Sequence, residues 1–322
     1  MFGFRVENDR LVWEKKHHIL KLEPCGVNSI RVRATVLADF ANVPSALIDV
    51  PKIKPLIEIH DNTASITNGK LKVVVGIDGR IQFVKISDGT ILLEEPTSHF
   101  LFPDGRKFQS RANDLYQIDV TFEANEGERF YGLGQHRHGL LNQKGCVIDL
   151  LQRNCEVAIP FLISSRGYGF LWNNPGMGRV ELAENHTRWT AYGSRQIDYV
   201  VFAGDSCAEI LERYVDATGH APEIPEWATG FWQCKLRYRT QDELLSIAHE
   251  YRERGLPLSV IVIDFFHWPK MGDWRFDGKE WPDPSGMVKE LDEIGVKVMV
   301  SVWPAVNRNS ENFEEMKDRG LL

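Results

Sequence analysis

The sequence lacks any run approaching the roughly 18 apolar residues that would span a bilayer. It has little cysteine: Cys25, Cys146, Cys155, Cys207 and Cys234 are scattered, odd in number and without CxxC spacing. A zinc site or a disulfide framework is therefore disfavoured, and reduced thiols in a cytoplasmic protein are the simpler expectation. The opening stretch, MFGFRVENDRLVWEKKHHIL, carries charges every few residues and has no apolar core of a signal peptide. There is no excess of positive charge. The net charge is −7, so neither nucleic acid nor an anionic membrane has an electrostatic case. No GxSxG or P-loop pattern appears, which leaves acyl and phosphoryl transfer unsupported. Gly132 and Gly134 form a GLG with no helix after it, so a dinucleotide fingerprint is absent too. His136 and His138 are two residues apart in a Gly-rich loop without a nearby acid, a poor metal set. No cofactor is implied.

What is present suits an ordinary globular chain. A length of 322 residues allows about two domains. The first two thirds alternate apolar and polar residues in short runs, as in HHILKLEPCGVNSIRVRATV and GKLKVVVGIDGRIQFVKISDGTILLEE. Turn pairs such as Asp78-Gly79 and Asp88-Gly89 punctuate them. This rhythm predicts an antiparallel β-sandwich over residues 1–222.

Near residue 220 the rhythm changes. GHAPEIPEW reads as a linker, and strands then alternate with helices over residues 223–322. The strands are predicted in ATGFWQCKL, LSVIVIDFF and VKVMVSVW, solidly apolar as if buried on both faces. The helices are predicted in TQDELLSIAHEYRERGLP with Thr240 as N-cap, in DPSGMVKELDEIG closed by Gly295, and in SENFEEMKDRG with Ser310 as N-cap. Three βα units are the start of a (β/α)8 TIM barrel, which needs about 250 residues, so the barrel is expected to be truncated at Leu322.

In such folds the carboxyl ends of the strands face the site. Those ends are expected at Lys235, Arg237 and Tyr238, at Asp264 with Phe265 and Phe266, and at Trp303. Six of the nine tryptophans, including Trp268 and Trp303, lie in the last third. A carboxylate among flat rings is the chemistry of sugar recognition, because a carboxylate accepts two adjacent hydroxyls while rings cover apolar sugar faces. Bland readings stand beside this one. Asp264 could pair with Lys235 or Arg237, Trp303 could be core, and Trp281 with Pro282 could staple and cap a helix.

RFYGLGQH, PEWATGFWQCKLRY, VIVIDFFHW with GDWRFDGKEWPDP, and VKVMVSVWP occur in that order. Together they resemble glycoside hydrolase family 31, the α-glucosidase and α-xylosidase family. The resemblance implies a galactose-mutarotase-like sandwich followed by a catalytic barrel. It implies a retaining reaction on α-linked terminal sugars with two carboxylates about 5 Å apart and no metal or cofactor. Both carboxylates are expected beyond Leu322, so no catalytic residue is assigned here. It also implies that Asp264 holds non-reducing sugar hydroxyls, with Phe265 beside it, Trp303 and Trp268 as aromatic surroundings, and Arg237 toward the aglycone. Gln135 and His136 lie in a loop that resembles one reaching the barrel mouth. The ligand implied is an α-glycoside or oligosaccharide, with α-xylosidase favoured over α-glucosidase. A non-catalytic carbohydrate-binding protein is the alternative if the chain is complete, and a homo-oligomer stays open.

Overall fold

The computed structural model describes residues 3–51, 53–97 and 105–322. Two units meet between Ala221 and Pro222, inside the proline-containing stretch read as a linker.

The first unit consists of antiparallel sheets around a shared core. An eight-stranded sheet runs in the order Gly3–Glu7, Arg10–Lys15, His18–Pro24, Ser29–Thr35, Ile197–Ala203, Tyr168–Trp172, Val157–Ser164, Phe130–Gln135. A five-stranded sheet runs Arg106–Ser110, Tyr116–Glu123, His186–Ser194, Gly178–Leu182, Val147–Leu150. A second five-stranded meander runs Leu56–Ile59, Thr63–Asn68, Leu71–Gly76, Ile81–Lys85, Ile91–Glu94. The alternation in the sequence becomes one buried face per strand: Val73 and Val75, Leu22 and Val32, Val120 and Phe122 all enter one core. Aromatic contacts join the sheets there, with Phe122 edge-on to both Phe83 and Phe170. The Asp78-Gly79 turn is a hairpin as the sequence predicts. Gly79 has φ +90°, and a Cβ on it would meet the Trp13 ring at 2.5 Å, so glycine is required twice over.

One helix in this unit escapes a reading based on β rhythm alone. Cys207–Thr218 starts at Ser206, whose Oγ accepts from the Glu209 amide at 3.2 Å. It buries Ile210 and Ala217 in a cluster with Phe161 and Phe202. The Ser-x-x-Glu signature of a helix start was present in the sequence.

The second unit is a three-stranded parallel sheet, Trp232–Lys235, Val260–Ile263 and Lys297–Val300, in sequence order. Helices Gln241–Glu253 and Pro284–Glu293 follow the first two strands, and the short helix Phe313–Asp318 follows the third. Thr240 Oγ1 caps the first by accepting from Glu243 N at 3.1 Å, and Asp283 caps the second through Gly286 N at 2.9 Å. Leu244, Ala248, Met287 and Leu291 pack with Ile261 and Ile263, and Trp281 is buried among them. Trp281 is therefore core beside the helix, and the cap is Asp283 and not Pro282.

Three expectations are corrected. Ser310 does not cap the last helix, which begins after Asn312; Ser310 Oγ instead accepts from Asn312 N at 3.2 Å, two residues too early for a cap. The third strand ends at Val300, not at Trp303, because pairing with the middle strand stops at Ile263↔Val300. Only the middle strand is well buried. It has a neighbour on each side, whereas Trp232, Cys234 and Met299 on the outer strands are exposed on the face away from the helices.

Candidate functional site

The site grows from the rung where pairing ends. Ile263 pairs with Val300, and the Ser301 amide still donates to the Ile263 carbonyl at 2.9 Å. The next residues on each strand, Asp264 and Ser301, therefore stand side by side. Side-chain alternation turns both away from the helix-facing Ile263 and Val300. Ser301 Oγ donates to Asp264 Oδ1 at 2.7 Å. Ser301 was missed in the sequence, although it is the hydroxyl at the end of the third apolar run.

Asp264 has no ion pair among the described residues. Both cations that could have claimed it are engaged elsewhere: Lys235 pairs with Glu243, and Arg237 donates from a terminal nitrogen to the Phe266 carbonyl at 2.9 Å. The half-buried carboxylate keeps most of its acceptor capacity unused by protein. Its field reaches two neighbours. Burial pushes the Cys234 thiol up, and Asp264 adds to that. Burial pulls the His267 imidazole below its ordinary value, and Asp264 opposes that pull.

The rings are sorted by their contacts. Phe265 and Phe266 have φ of +56° and +54°, a left-handed pair that phenylalanine rarely adopts. The chain bends at Phe265 just after Asp264, and the two rings stand edge to face, 4.2 Å between centroids. Trp303 lies 4.8 Å from Phe265 and 6.5 Å from Trp268. Trp303 is 43% exposed, so it is not core. Trp268 is buried, and its indole N–H has no partner among the described residues. His267, also missed by the sequence reading, is buried between Trp268 and Phe276, with Nδ1 unpartnered among the described residues. Phe276 belongs with Trp281. Arg237 also stacks over the Phe266 ring at 5.9 Å, bracing the turn.

Asp264, Phe265, Trp268, Trp303 and Arg237 are thus gathered at one end of the parallel sheet. Gln135 and His136 belong to the first unit, at the end of strand Phe130–Gln135. Gln135 is exposed; His136 Nε2 bonds the Leu133 carbonyl at 2.8 Å, and its ring stacks on His138. Among the described residues no group of three or more His, Cys, Asp or Glu side chains is arranged to hold a metal.

Residues 19–181 match the glycosyl hydrolase 31 N-terminal galactose mutarotase-like domain. Residues 221–322 match the glycosyl hydrolases family 31 TIM-barrel domain. The chain belongs to glycoside hydrolase family 31. An uncharacterized family 31 glucosidase of Pseudescherichia vulneris is 44% identical over 96% of this chain and 62% of its own length. An alpha-xylosidase of Saccharolobus solfataricus is 36% identical over 74% of this chain and 34% of its own. The crystal structure of a GH31 alpha-xylosidase from a soil metagenome, complexed with xylose, superposes with a TM-score of 0.94 at 44% identity. It covers 99% of this chain, and this chain covers 49% of it. The chain therefore spans between a third and two thirds of these family 31 relatives. Its fold is a β-sandwich followed by the first βα units of a family 31 barrel.

Proposed function

We propose that the protein carrying this chain is a retaining glycoside hydrolase that removes α-linked non-reducing terminal sugars, xylose in the first place. The observation that carries the reading is Asp264: a half-buried carboxylate with one protein hydrogen bond and no ion pair among the described residues, fenced by Phe265, Phe266 and Trp303. Such a group accepts two adjacent sugar hydroxyls by charge-assisted bonds. The crowded rings next to it leave less room for the extra hydroxymethyl of glucose, a discrimination of about 1–3 kcal/mol. The names of several relatives point the same way. The name of the 44% identical relative favours α-glucosidase, which is the second reading.

In this reading Asp264, Phe265, Trp303 and Trp268 bind and orient the terminal sugar, and Arg237 holds the Phe266 turn. The nucleophile and the acid/base lie outside these 322 residues, and the chain alone does not turn over substrate. No metal or organic cofactor takes part.

The test is paired assays of the natural gene product on aryl α-xyloside and aryl α-glucoside, with its intact mass. A mass well above 36.9 kDa and a higher kcat/KM on the xyloside are expected. A higher kcat/KM on the glucoside selects the second reading. A product of 36.9 kDa without turnover that still binds sugar would make it a carbohydrate-binding protein instead.

A further inference from the structure

The segment that carries Trp303 leaves the sheet early. Its pairing with the middle strand stops at Ile263↔Val300, with one more bond from the Ser301 amide. Beyond that, four consecutive residues after the second strand hold it. The Trp274 indole N–H donates to the Trp303 carbonyl at 2.9 Å. The Asn307 amide donates to the Met271 carbonyl at 3.0 Å, and the Glu311 amide to Asp273 Oδ1 at 3.0 Å. Gly272 lies against Val306. Residues 271–274 thus act as a peg that grips the arc 303–311 at both ends and in the middle.

Asp273 is the charged member of the peg, and it is only 4% exposed. Its donors come from both segments. Besides the Glu311 amide, the Ser310 hydroxyl and the Lys270 amide bond its carboxyl. Ser310 Oγ accepts from Asn312 N at 3.2 Å, which leaves the hydroxyl proton for Asp273. Burial pushes the carboxyl up, and these bonds outweigh burial and hold it below the usual aspartate range. Removing the carboxylate would strand its donors at the far end of the arc. Trp303 stands at the near end, held by the residue next to Asp273, and its ring lies 4.8 Å from Phe265.

We propose that Asp273 is a positioning residue for the terminal-sugar site and acts through Trp303. This rests on the reading of Trp303 as a sugar contact. By anchoring the far end of the arc, the carboxylate keeps peg and arc in register, so the Trp303 ring stays packed on Phe265 before the sugar arrives. A ring of this kind contacts ground state and transition state alike, so misplacing it weakens binding more than turnover.

The test is steady-state kinetics of the complete protein, well below its unfolding temperature, on whichever of aryl α-xyloside and aryl α-glucoside it cleaves faster. Asp273→Ala should raise KM about tenfold and change kcat less than about threefold. Asp273→Asn keeps an acceptor oxygen for the Glu311 amide, so it should raise KM only about threefold, and it serves if the alanine variant does not fold. Trp303→Ala should raise KM at least as much as Asp273→Ala, and combining the two should add less than about twofold. Thr240→Ala removes a helix cap away from the peg and should leave KM unchanged. Three results overturn the proposal and leave the sugar-site reading standing: Asp273 variants with unaltered KM beside a raised KM in Trp303→Ala, effects that multiply in the double variant, or a rise in Thr240→Ala equal to that in Asp273→Ala. An unaltered KM in Trp303→Ala, or cleavage of neither glycoside, overturns that reading and the proposal with it.

Discussion

The indole N–H of Trp274 donates to the backbone carbonyl of Trp303 at 2.9 Å. Trp274 reaches it from an unusual φ of +41°. The segment after the second strand is thereby tied to the segment after the third, at the ring that packs on Phe265. Further ties follow: Lys270 Nζ donates to the Asn309 carbonyl at 2.9 Å, Asn312 Nδ2 to the Gly272 carbonyl at 2.7 Å, and Glu311 N to Asp273 Oδ1 at 3.0 Å.

Trp274→Phe keeps the ring and removes the bond. In the complete protein, kcat/KM on an aryl α-glycoside should fall about three- to tenfold, with Tm changed by only a few degrees. An unchanged kcat/KM would show that Trp303 keeps its place without this bond.

Asp264→Ala should lower kcat/KM at least about a hundredfold, since a charged partner of the sugar is lost. Ser301→Ala should cost about tenfold or less, because it only orients the carboxylate. A loss under about threefold for Asp264→Ala removes this residue from the sugar site.

Gly272→Ala tests the ties between the two segments. Gly272 has φ +101°, and a Cβ there would stand 2.8 Å from Val306 Cα. The second unit should lose about 2 kcal/mol or more in urea unfolding. Gly278→Ala, with nothing within 4 Å of the added Cβ, should stay within about 0.5 kcal/mol and serves as the control. Equal effects of the two substitutions would contradict the packing described.

Asp205 links the helix Cys207–Thr218 to the meander. Hydrogen bonds from Lys70 and then Lys85 hold its carboxyl down at about 2, against 3.8 for a free one. A depressed carboxyl contributes stability above its unfolded value and loses it as pH falls through the folded one. Asp205→Asn should therefore lower Tm at neutral pH, and the gap to the unaltered chain should close between pH 3.8 and about 2. A gap that is constant across that window argues against the ion pairs as its cause.

Thiol labelling checks the cysteines. Burial pushes Cys25 up to about 11, whereas Cys155, Cys207 and Cys234 are exposed. Maleimide at neutral pH should modify Cys155 and Cys207 within minutes, Cys234 more slowly because its thiol is pushed up, and leave Cys25 untouched until the chain unfolds. Early modification of Cys25, read by peptide mass, would show that the first unit opens locally.

Much of the fold was legible because it rests on short-range rules. The Asp78-Gly79 hairpin needs a left-handed glycine two residues from a strand end, and Thr240 announces its helix by position alone. Ser310 shows the limit of such rules. Its side chain bonds the backbone only two residues on, and the helix starts later. The aromatic cluster around Asp264 was visible as composition, but Phe265, Phe266, Trp268, Trp274, Phe276 and Trp281 in one stretch do not say which rings stay near the acid. Trp281 and Phe276 went to the helix-side core, and Trp303 came in from the next βα unit.

The sequence by itself determined the two units, the parallel strands and the acid at the end of the second strand. Those follow from local periodicity and from turn chemistry within a few residues. The tertiary structure alone decided that Ser301, 37 residues away, orients Asp264, that Lys235 and Arg237 bond elsewhere and not to it, and that Trp274 holds Trp303. Each of these depends on strand register or on loops meeting in space, and neither is encoded in the spacing of residues along one segment.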